Sequence, residues 1–243
     1  MEQFDRLGPA YHTFIRKDPM RRLHYETVIG LLHPEGSAIR KRILDIGCGE
    51  GELPRKLASD PYHDNITGFD SAPSLLKQAK DQEEQSALGI RYITAAADAF
   101  RSEEAFSDAV SVMVLPYSPS ADYLHDFFSC AQRSLVPDGR FISIIFNPNF
   151  TAFERKIGNR RFAERDGKVE VQFLDPETNI TAFTSMLTQY TKAEYERAAL
   201  ESGFGRTLWR DLHPSAAMRQ MYAADFWEAF EREQPYTLLI AQK

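Results

Sequence analysis

Three closely spaced glycines follow an apolar run near the start of the chain. The stretch 43–51 reads Ile-Leu-Asp-Ile-Gly-Cys-Gly-Glu-Gly, which places Gly47, Gly49 and Gly51 two residues apart. Because glycine has no Cβ, its backbone can adopt positive φ and bring N–H groups close to a ligand at a helix N-terminus. The pattern predicts a loop that binds a nucleotide-like ligand, with Asp45 inside the preceding strand.

Two later aspartates follow apolar stretches of the same kind. Asp70 ends the stretch 65–70 and lies 25 residues beyond Asp45. An acid at about this distance lies at the tip of the next strand of a βαβ unit, where it accepts hydrogen bonds from ribose hydroxyls. Asp98 follows a third such stretch between Ala97 and Ala99, whose small side chains leave room for a flat ring such as adenine. The alternative for Asp98 is a turn cap.

The elements that position these residues alternate between strands and helices. Strand patterns cover 43–46, 65–70, 90–93, 107–115 and 140–146, with helical patterns at 53–58, 73–88 and 120–135. This alternation predicts an α/β fold with a doubly wound parallel sheet. Ligands of such sheets bind beyond the carboxyl ends of the strands, where the glycines and aspartates fall.

Two segments lie outside this alternation. The pattern of residues 1–35 predicts a helical N-terminal cover, including a helix from Pro19 to Leu32. The pattern of residues 147–190 predicts a lid insertion with an antiparallel hairpin. Two basic clusters are interpreted as solvated helical faces, with contact to an anionic ligand or partner as the alternative; they comprise Arg16, Lys17, Arg21 and Arg22, then Arg155, Lys156, Arg160, Arg161 and Arg165. Thr191 and Glu194 form a capping box, and strand patterns follow at 207–212 and 236–241.

The composition of the chain limits the kinds of partner and site that we expect. The 243 residues carry a net charge of −6 and two cysteines, and they fit a single domain over 1–243. We expect no nucleic-acid partner, no membrane contact, no bound metal and a cytoplasmic location, as a monomer or homodimer.

Taken together, these motifs resemble the class I S-adenosylmethionine-dependent methyltransferases. The resemblance implies a seven-stranded Rossmann-like doubly wound sheet whose antiparallel last strand lies between the fifth and sixth. It also implies S-adenosyl-L-methionine as cofactor, released as S-adenosyl-L-homocysteine, with Tyr11 in a helix that covers the methionine end. The implied cofactor-binding residues are Tyr11, Asp45, Gly47, Cys48, Gly49, Asp70, Ser71, Leu75, Ala97, Asp98, Ala99 and Leu115. Ser71 replaces the family's usual apolar residue, so the packing against adenine would be weaker there or would come from Leu75.

A narrower likeness concerns segments 146–149, 173–176, 189–191 and 224–227. They are similar to the branch that methylates small nitrogen heterocycles of the toxoflavin (azapteridine) type. Membership in this branch would imply a heterocycle as the acceptor of the methyl group.

Two rival functions stay open. A nicotinamide-dependent oxidoreductase usually has Gly-x-Gly-x-x-Gly, whereas here Glu52 occupies the third glycine position, and Asp45 would repel a pyrophosphate. A methyltransferase-like protein could also bind the cofactor without turnover.

The sequence favours N- or O-methylation of a small aromatic or heterocyclic metabolite by in-line displacement. No general base is assigned, and the candidates for a catalytic role are Tyr117, His125 and His213. The chain has Leu115-Pro116-Tyr117 where enzymes that methylate nucleic-acid bases carry an amide or acid followed by two prolines. The candidate substrate-binding residues are Tyr117, Asn147, Phe150, Phe183 and Tyr190.

Overall fold

A computed structural model describes Phe14 and residues 17–33, 41–60 and 63–243. The predicted helix before Pro19, with Tyr11, lies outside these described residues apart from Phe14 and Lys17.

The main sheet has seven strands, as predicted. They are β1 (Lys41–Ile46), β2 (His63–Asp70), β3 (Arg91–Thr94), β4 (Phe106–Val112), β5 (Leu135–Phe146), β10 (Arg206–Asp211) and β11 (Tyr236–Gln242), in the order β10-β11-β5-β4-β1-β2-β3. β11 pairs antiparallel with both β5 and β10, so the last strand lies between the fifth and sixth of the sheet. This confirms the predicted fold class.

The helices also follow the sequence patterns. They are α1 (Pro19–Leu32), α2 (Glu52–Ala58), α3 (Pro73–Ser86), α4 (Ala121–Ser134), α5 (Lys192–Glu201), α6 (Ala216–Met221) and α7 (Ala224–Glu233). Side-chain caps begin several of them: Asp18 accepts from the Met20 N–H at 3.2 Å, and Thr191 and Glu194 form the predicted capping box. None of the helices in the described ranges is long and apolar enough to cross a membrane.

The strand order reverses beside β1. β1 pairs in parallel with β2 on one side and with β4 on the other, and their connections leave in opposite directions. A crevice therefore opens beyond the carboxyl ends of β1 and β4, which is where ligands of doubly wound sheets bind.

The insertion after β5 forms a four-stranded antiparallel sheet and not the single hairpin that we predicted. Its strands are β6 (Lys156–Ile157), β7 (Arg160–Arg165), β8 (Lys168–Leu174) and β9 (Thr181–Leu187). Gly158, at φ 57°, turns the chain between β6 and β7, so the basic run that we predicted as a helical face is instead a tight hairpin. Along β7 alternate side chains face opposite sides, which buries Arg160 and exposes Arg161.

This small sheet packs over the carboxyl end of the main sheet. The Thr188 N–H donates to the Pro116 carbonyl at 2.7 Å, just after β4. One hydrophobic cluster joins Met20 of α1, Ile144 of β5 and Phe162 of β7. The cover helix, the main sheet and the insertion thus share a core.

Candidate functional site

A cavity of about 380 Å³ lies at the strand reversal, between the main sheet, α1 and the small sheet. Its wall at the main sheet contains Gly47, Cys48, Gly49, Asp70 and Leu75. Its opposite wall contains side chains of α1, β7 and β8, and Tyr236 at the start of β11 lies beside them. The predicted loop and the two added segments therefore enclose one space.

The glycine loop has the backbone conformation that its sequence predicts. Gly47 and Gly49 adopt φ of 76° and 55°. A Cβ on Gly47 would lie 2.6 Å from Val114, whereas a Cβ on Gly49 would meet nothing within 4 Å among the described residues. Gly47 is thus required by packing beneath the loop, and Gly49 keeps an open space beside the cavity.

Asp70 fixes the shape of this loop. One carboxylate oxygen accepts the Gly49 N–H at 2.9 Å, and the other accepts the Ala72 N–H at 2.8 Å. The side chain is 9% exposed and lines the cavity. A carboxylate has about four acceptor positions, so these two bonds alone do not use all of them.

Asp45 lies behind the loop and is not among the cavity-lining residues. It is 3% exposed, and burial, with the nearby Asp70 charge, raises its pKa from 3.8 to about 8 although Arg21 opposes the shift. The carboxyl is therefore largely protonated at neutral pH in the protein without ligand. An approaching cation would favour its ionised form.

This raised pKa predicts a pH dependence of stability. The folded protein holds the Asp45 proton more tightly than the unfolded chain does. The stabilising contribution of this residue to the free energy of unfolding is therefore complete below pH 3.8 and is lost as pH rises to about 8. We expect Asp45→Asn to flatten the fall in unfolding free energy across this window, measured by urea unfolding at several pH values. Equal slopes for wild type and variant would contradict the assignment.

One face of α1 carries the polar side chains of the opposite wall. Asp18 caps this helix, and Arg21, His24 and Tyr25 follow at helical spacing, all lining the cavity. The Arg21 guanidinium lies 3.4 Å from Glu50 and 3.0 Å from Glu52. We predicted that Arg21 lies on a solvated face. Its side chain instead ties the cover helix to the glycine loop.

A buried ion pair joins α1 to the small sheet. The Arg160 guanidinium donates to the Asp18 carboxylate, and these residues are only 3% and 6% exposed. Asn159 also donates to Asp18 at 3.2 Å, and the Phe173 ring lies 4.1 Å from the guanidinium carbon. The pair therefore closes the cavity between the cover and the insertion.

Aromatic and imidazole groups and the Arg160 guanidinium complete this part of the cavity, which we call the chamber. Its residues are His24, Tyr25, Tyr117, Arg160, Phe173 and Tyr236. The His24 and Tyr236 rings meet edge to face at 4.7 Å between centroids. Burial lowers the His24 pKa to about 3 and raises the pKa of Tyr25, Tyr117 and Tyr236. All four side chains are therefore uncharged at neutral pH.

Six of the predicted site residues line the cavity together. They are Gly47, Cys48, Gly49, Asp70, Leu75 and Tyr117. Tyr117 also shares a hydrogen bond with Ser185 at 3.2 Å, which orients its phenol against β9. Tyr11 lies outside the described residues.

Leu115 does not line the cavity, and its predicted place in β4 is wrong. The strand ends at Val112, and Met113 takes a φ of 55° before a 3₁₀ turn over Leu115–Tyr117. The Leu115 side chain is fully buried in the core beneath that turn. The cavity wall is instead built by Val112, Met113 and Val114.

The predicted adenine-contacting residues lie beyond the lining of the cavity. Ala97 packs in the core, and Asp98 and Ala99 are exposed. Ser71 is half-buried, and the next residue, Ala72, lines the cavity in its place. The adenine roles of these residues stay predictions.

Four predicted substrate-binding residues also fall outside the cavity lining. The Asn147 amide donates to the Gln234 carbonyl at 2.8 Å and accepts the Asn149 N–H at 2.9 Å, as expected of a turn residue. Phe150 is 2% exposed among core aromatic rings, and Tyr190 donates to the Ser118 carbonyl at 2.8 Å. Phe183 stacks on Phe173 at 4.2 Å and supports the chamber from behind.

The two candidate histidines are similarly remote from the cavity lining. His125 lies on α4, 3.4 Å from the Ser129 hydroxyl, and His213 is exposed beside Glu231 at 3.3 Å. Neither side chain belongs to the chamber. The structure therefore does not support a catalytic role for either residue.

Most residues of the chamber were not predicted from the sequence. Arg21, His24 and Tyr25, with Asp18 as cap, have a spacing of three and four residues that places them on one helical face, and this signal could have been used. Arg160 and Tyr236 had no such signal, because their position depends on contacts far apart in the chain.

The cavity fits an adenosine-type cofactor at its main-sheet end. Gly49 leaves space beside a backbone that could approach a ligand, and Asp70 offers acceptors for ribose hydroxyls. Leu75, Val112 and Phe127 supply apolar walls for a ring. These features agree with the cofactor that the resemblance to methyltransferases implies.

Comparison with known proteins agrees with this geometry. Residues 43–139 match the family model described as a methyltransferase domain. Over 114 residues the chain is 34% identical to a ubiquinone biosynthesis O-methyltransferase of Xylella fastidiosa, covering 46% of this chain and 44% of that protein. Over 108 residues it is 32% identical to a demethylmenaquinone methyltransferase of Thermus thermophilus, covering 44% and 48%. The matches thus span less than half the length of these curated relatives.

The likeness of fold covers nearly the whole chain. A crystal structure of an S-adenosylmethionine-dependent methyltransferase from Clostridium acetobutylicum aligns with a TM-score of 0.66 and 15% identity over 98% of both chains. The shared fold therefore includes the cover helix and the insertion, beyond the segment that the family model matches.

Proposed function

We propose that this chain, which carries a class I S-adenosylmethionine-dependent methyltransferase domain with S-adenosyl-L-methionine as its cofactor, methylates a small aromatic or heterocyclic molecule at nitrogen or oxygen. The observation that carries the proposal is the single cavity that runs from Asp70 and the glycine loop to the chamber. The two ends of this cavity can hold a methyl donor and an acceptor side by side.

The size and walls of the chamber favour a small acceptor. The whole cavity of about 380 Å³ lies at the lower end of the range of about 300–1,000 Å³ common for small-molecule sites. Tyr25, Phe173 and Tyr236 supply ring surfaces against which a flat molecule would pack. The buried Asp18–Arg160 pair joins the cover helix to the small sheet at the cavity wall.

The cofactor supplies a methyl group already activated by its sulfonium. The chain therefore has to align the acceptor and exclude water, and alignment of two bound reactants is worth up to roughly 7–11 kcal/mol of barrier. Rigid contacts serve this role: Tyr117 is held by Ser185, Arg160 by Asp18, and Tyr236 by the His24 ring.

The chamber also limits the kind of nucleophile. The pKa of about 3 makes His24 a weak base, and burial keeps the phenols of Tyr25 and Tyr236 protonated. Neutral His24 can accept or donate a hydrogen bond, but it would remove a proton from a substrate inefficiently. We infer an acceptor that needs no strong base, such as a neutral ring nitrogen, an amine or a phenol that ionises near neutral pH.

This inference predicts how the rate depends on pH. With two acceptors of different acidity, the midpoint of the kcat/KM profile should move with the pKa of each acceptor, because no chamber histidine or tyrosine titrates near neutrality. The measurement uses labelled S-adenosylmethionine with a panel of substituted phenols, catechols and nitrogen heterocycles. The same midpoint for every acceptor, in wild type and in Asp45→Asn alike, would point to a protein base in the chamber and would contradict an acceptor that needs no strong base.

The panel also separates the rival functions. The relatives' names include O-methylation in ubiquinone biosynthesis, so hydroxylated rings are included beside the heterocycles that the sequence favoured. Cofactor binding without transfer to any small acceptor, RNA or protein would favour a protein that binds without turnover. Transfer only to RNA or protein would overturn the small-molecule proposal.

A further inference from the structure

A second group of chemically competent side chains lies at the opposite end of the main sheet. His33 caps the C-terminal end of α1, Asp60 follows α2, and His63 begins β2. One ligand atom from each of the three lies within 4.8 Å of the others. The cluster therefore joins the cover helix to the connection between α2 and β2.

This cluster is distinct from the cavity. His63 and Asp70 are the first and last residues of β2, seven positions apart along one strand. At a rise of roughly 3.3 Å per residue, about 23 Å separates the two ends. A ligand at His63 would thus lie far from the reacting atoms.

The three side chains already converge. The His33 ring contacts the Asp60 carboxylate through Nε2, and the other Asp60 oxygen lies 3.9 Å from His63 Nδ1. The two imidazole rings meet edge to face, with 4.9 Å between their centroids. Two imidazoles and one carboxylate form a common donor set for Zn²⁺ and related transition metals.

The environment of His63 gives an independent indication of a ligand. Its side chain has 0% exposure, and neither ring nitrogen makes a hydrogen bond of normal geometry with any residue in the described ranges. The Leu57 backbone carbonyl is a weak partner of this ring, and the Asp60 carboxylate lies beyond hydrogen-bond distance at 3.9 Å. Buried polar atoms left in this state are costly, and coordination would satisfy one of the two nitrogens.

Lys41, a cation beside the cluster, is already engaged. Lys41 pairs with His63 across β1 and β2, and its Nζ lies 3.0 Å from the Asp108 carboxylate. His33 and Asp60 are 26% and 20% exposed, so an ion could reach the cluster from solvent. Charge and access are therefore compatible with a cation.

We propose that His33, Asp60 and His63 bind a divalent transition-metal ion of the zinc class, which holds the C-terminal end of α1 against the core. α1 also carries Asp18, Arg21, His24 and Tyr25 of the cavity wall. The ion would thus stabilise the helix that shapes the chamber, without taking part in methyl transfer.

The test uses untagged full-length protein, dialysed against a chelator and titrated with ZnCl₂ by calorimetry. Wild type should bind one Zn²⁺ and show a melting temperature that rises with Zn²⁺ concentration, whereas MgCl₂ should have no effect. His33→Gln and Asp60→Asn each remove one ligand at a partly exposed position, so both variants should fold. Each should weaken Zn²⁺ binding by more than roughly tenfold.

His213→Gln is the matched control, because His213 and Glu231 form an exposed histidine–carboxylate pair. Its Zn²⁺ affinity should equal that of wild type. Binding of S-adenosylmethionine to His33→Gln and Asp60→Asn, measured separately, verifies their fold and keeps failure here distinct from failure of the methyltransferase proposal. Absence of Zn²⁺ binding, or equal binding by all these variants, would overturn the metal site.

Discussion

Replacing Asp70 with alanine is expected to weaken S-adenosylmethionine binding by roughly 10- to 150-fold, the equivalent of one charge-assisted hydrogen bond. The carboxylate has two tasks that the variant would lose. It holds the N–H groups of Gly49 and Ala72 at 2.9 and 2.8 Å, and under the proposed cofactor position it would also accept hydrogen bonds from the ribose hydroxyls. Calorimetry with the purified variant measures the change in Kd.

Asp70→Asn tests the hydrogen bonds of this side chain separately from the loss of side-chain volume that alanine causes. The amide has nearly the same shape, but its NH₂ group would face one of the backbone N–H donors or the ligand. Asp81→Ala is the control, since this acid forms only a surface pair with Lys77 on α3 at 2.6 Å. Unchanged affinity in both Asp70 variants would refute the cofactor role of this residue.

Replacing Arg160 with methionine should lower the free energy of unfolding by about 3–5 kcal/mol, because it leaves the Asp18 carboxylate buried without its counter-charge. Asp18 is 6% exposed, and the remaining hydrogen bonds from Met20 and Asn159, both 3.2 Å long, only partly replace the guanidinium. Guanidinium chloride unfolding at neutral pH provides the measurement.

A double variant tests whether the pair itself is responsible. Asp18→Asn with Arg160→Met removes both charges and keeps a good N-cap for α1. We expect this protein to be more stable than Arg160→Met alone, so the two substitutions should not be additive. Strict additivity would show that the loss comes from the packing of Arg160 on Phe173 and not from its charge.

The same pair connects stability to the chamber. Asp18 belongs to the cover helix and Arg160 to the insertion, so breaking their bond should loosen the closed wall while Gly49 and Asp70 stay in place. Among the folded Arg160→Met molecules we therefore expect cofactor affinity near that of wild type and a higher KM for the acceptor.

The sequence by itself determined the elements whose cause is local. The three glycines end β1 because the loop needs positive φ, and Gly47 and Gly49 adopt it. Thr191 and Glu194 cap α5 through contacts three residues apart. The alternation of strands and helices was sufficient to predict the doubly wound sheet, and with the motifs it indicated the cofactor end of the cavity.

The acceptor end was decided by the tertiary structure. Arg160 reads as one member of a basic run, and only the pairing of β7 with β8 turns it inward toward Asp18, 142 residues earlier in the chain. Leu115 reads as the end of an apolar strand, but the turn at Met113 directs it into the core. Composition and periodicity carry no information on which distant segments meet, so the sequence indicated the methyl donor and only the tertiary structure assembled the chamber.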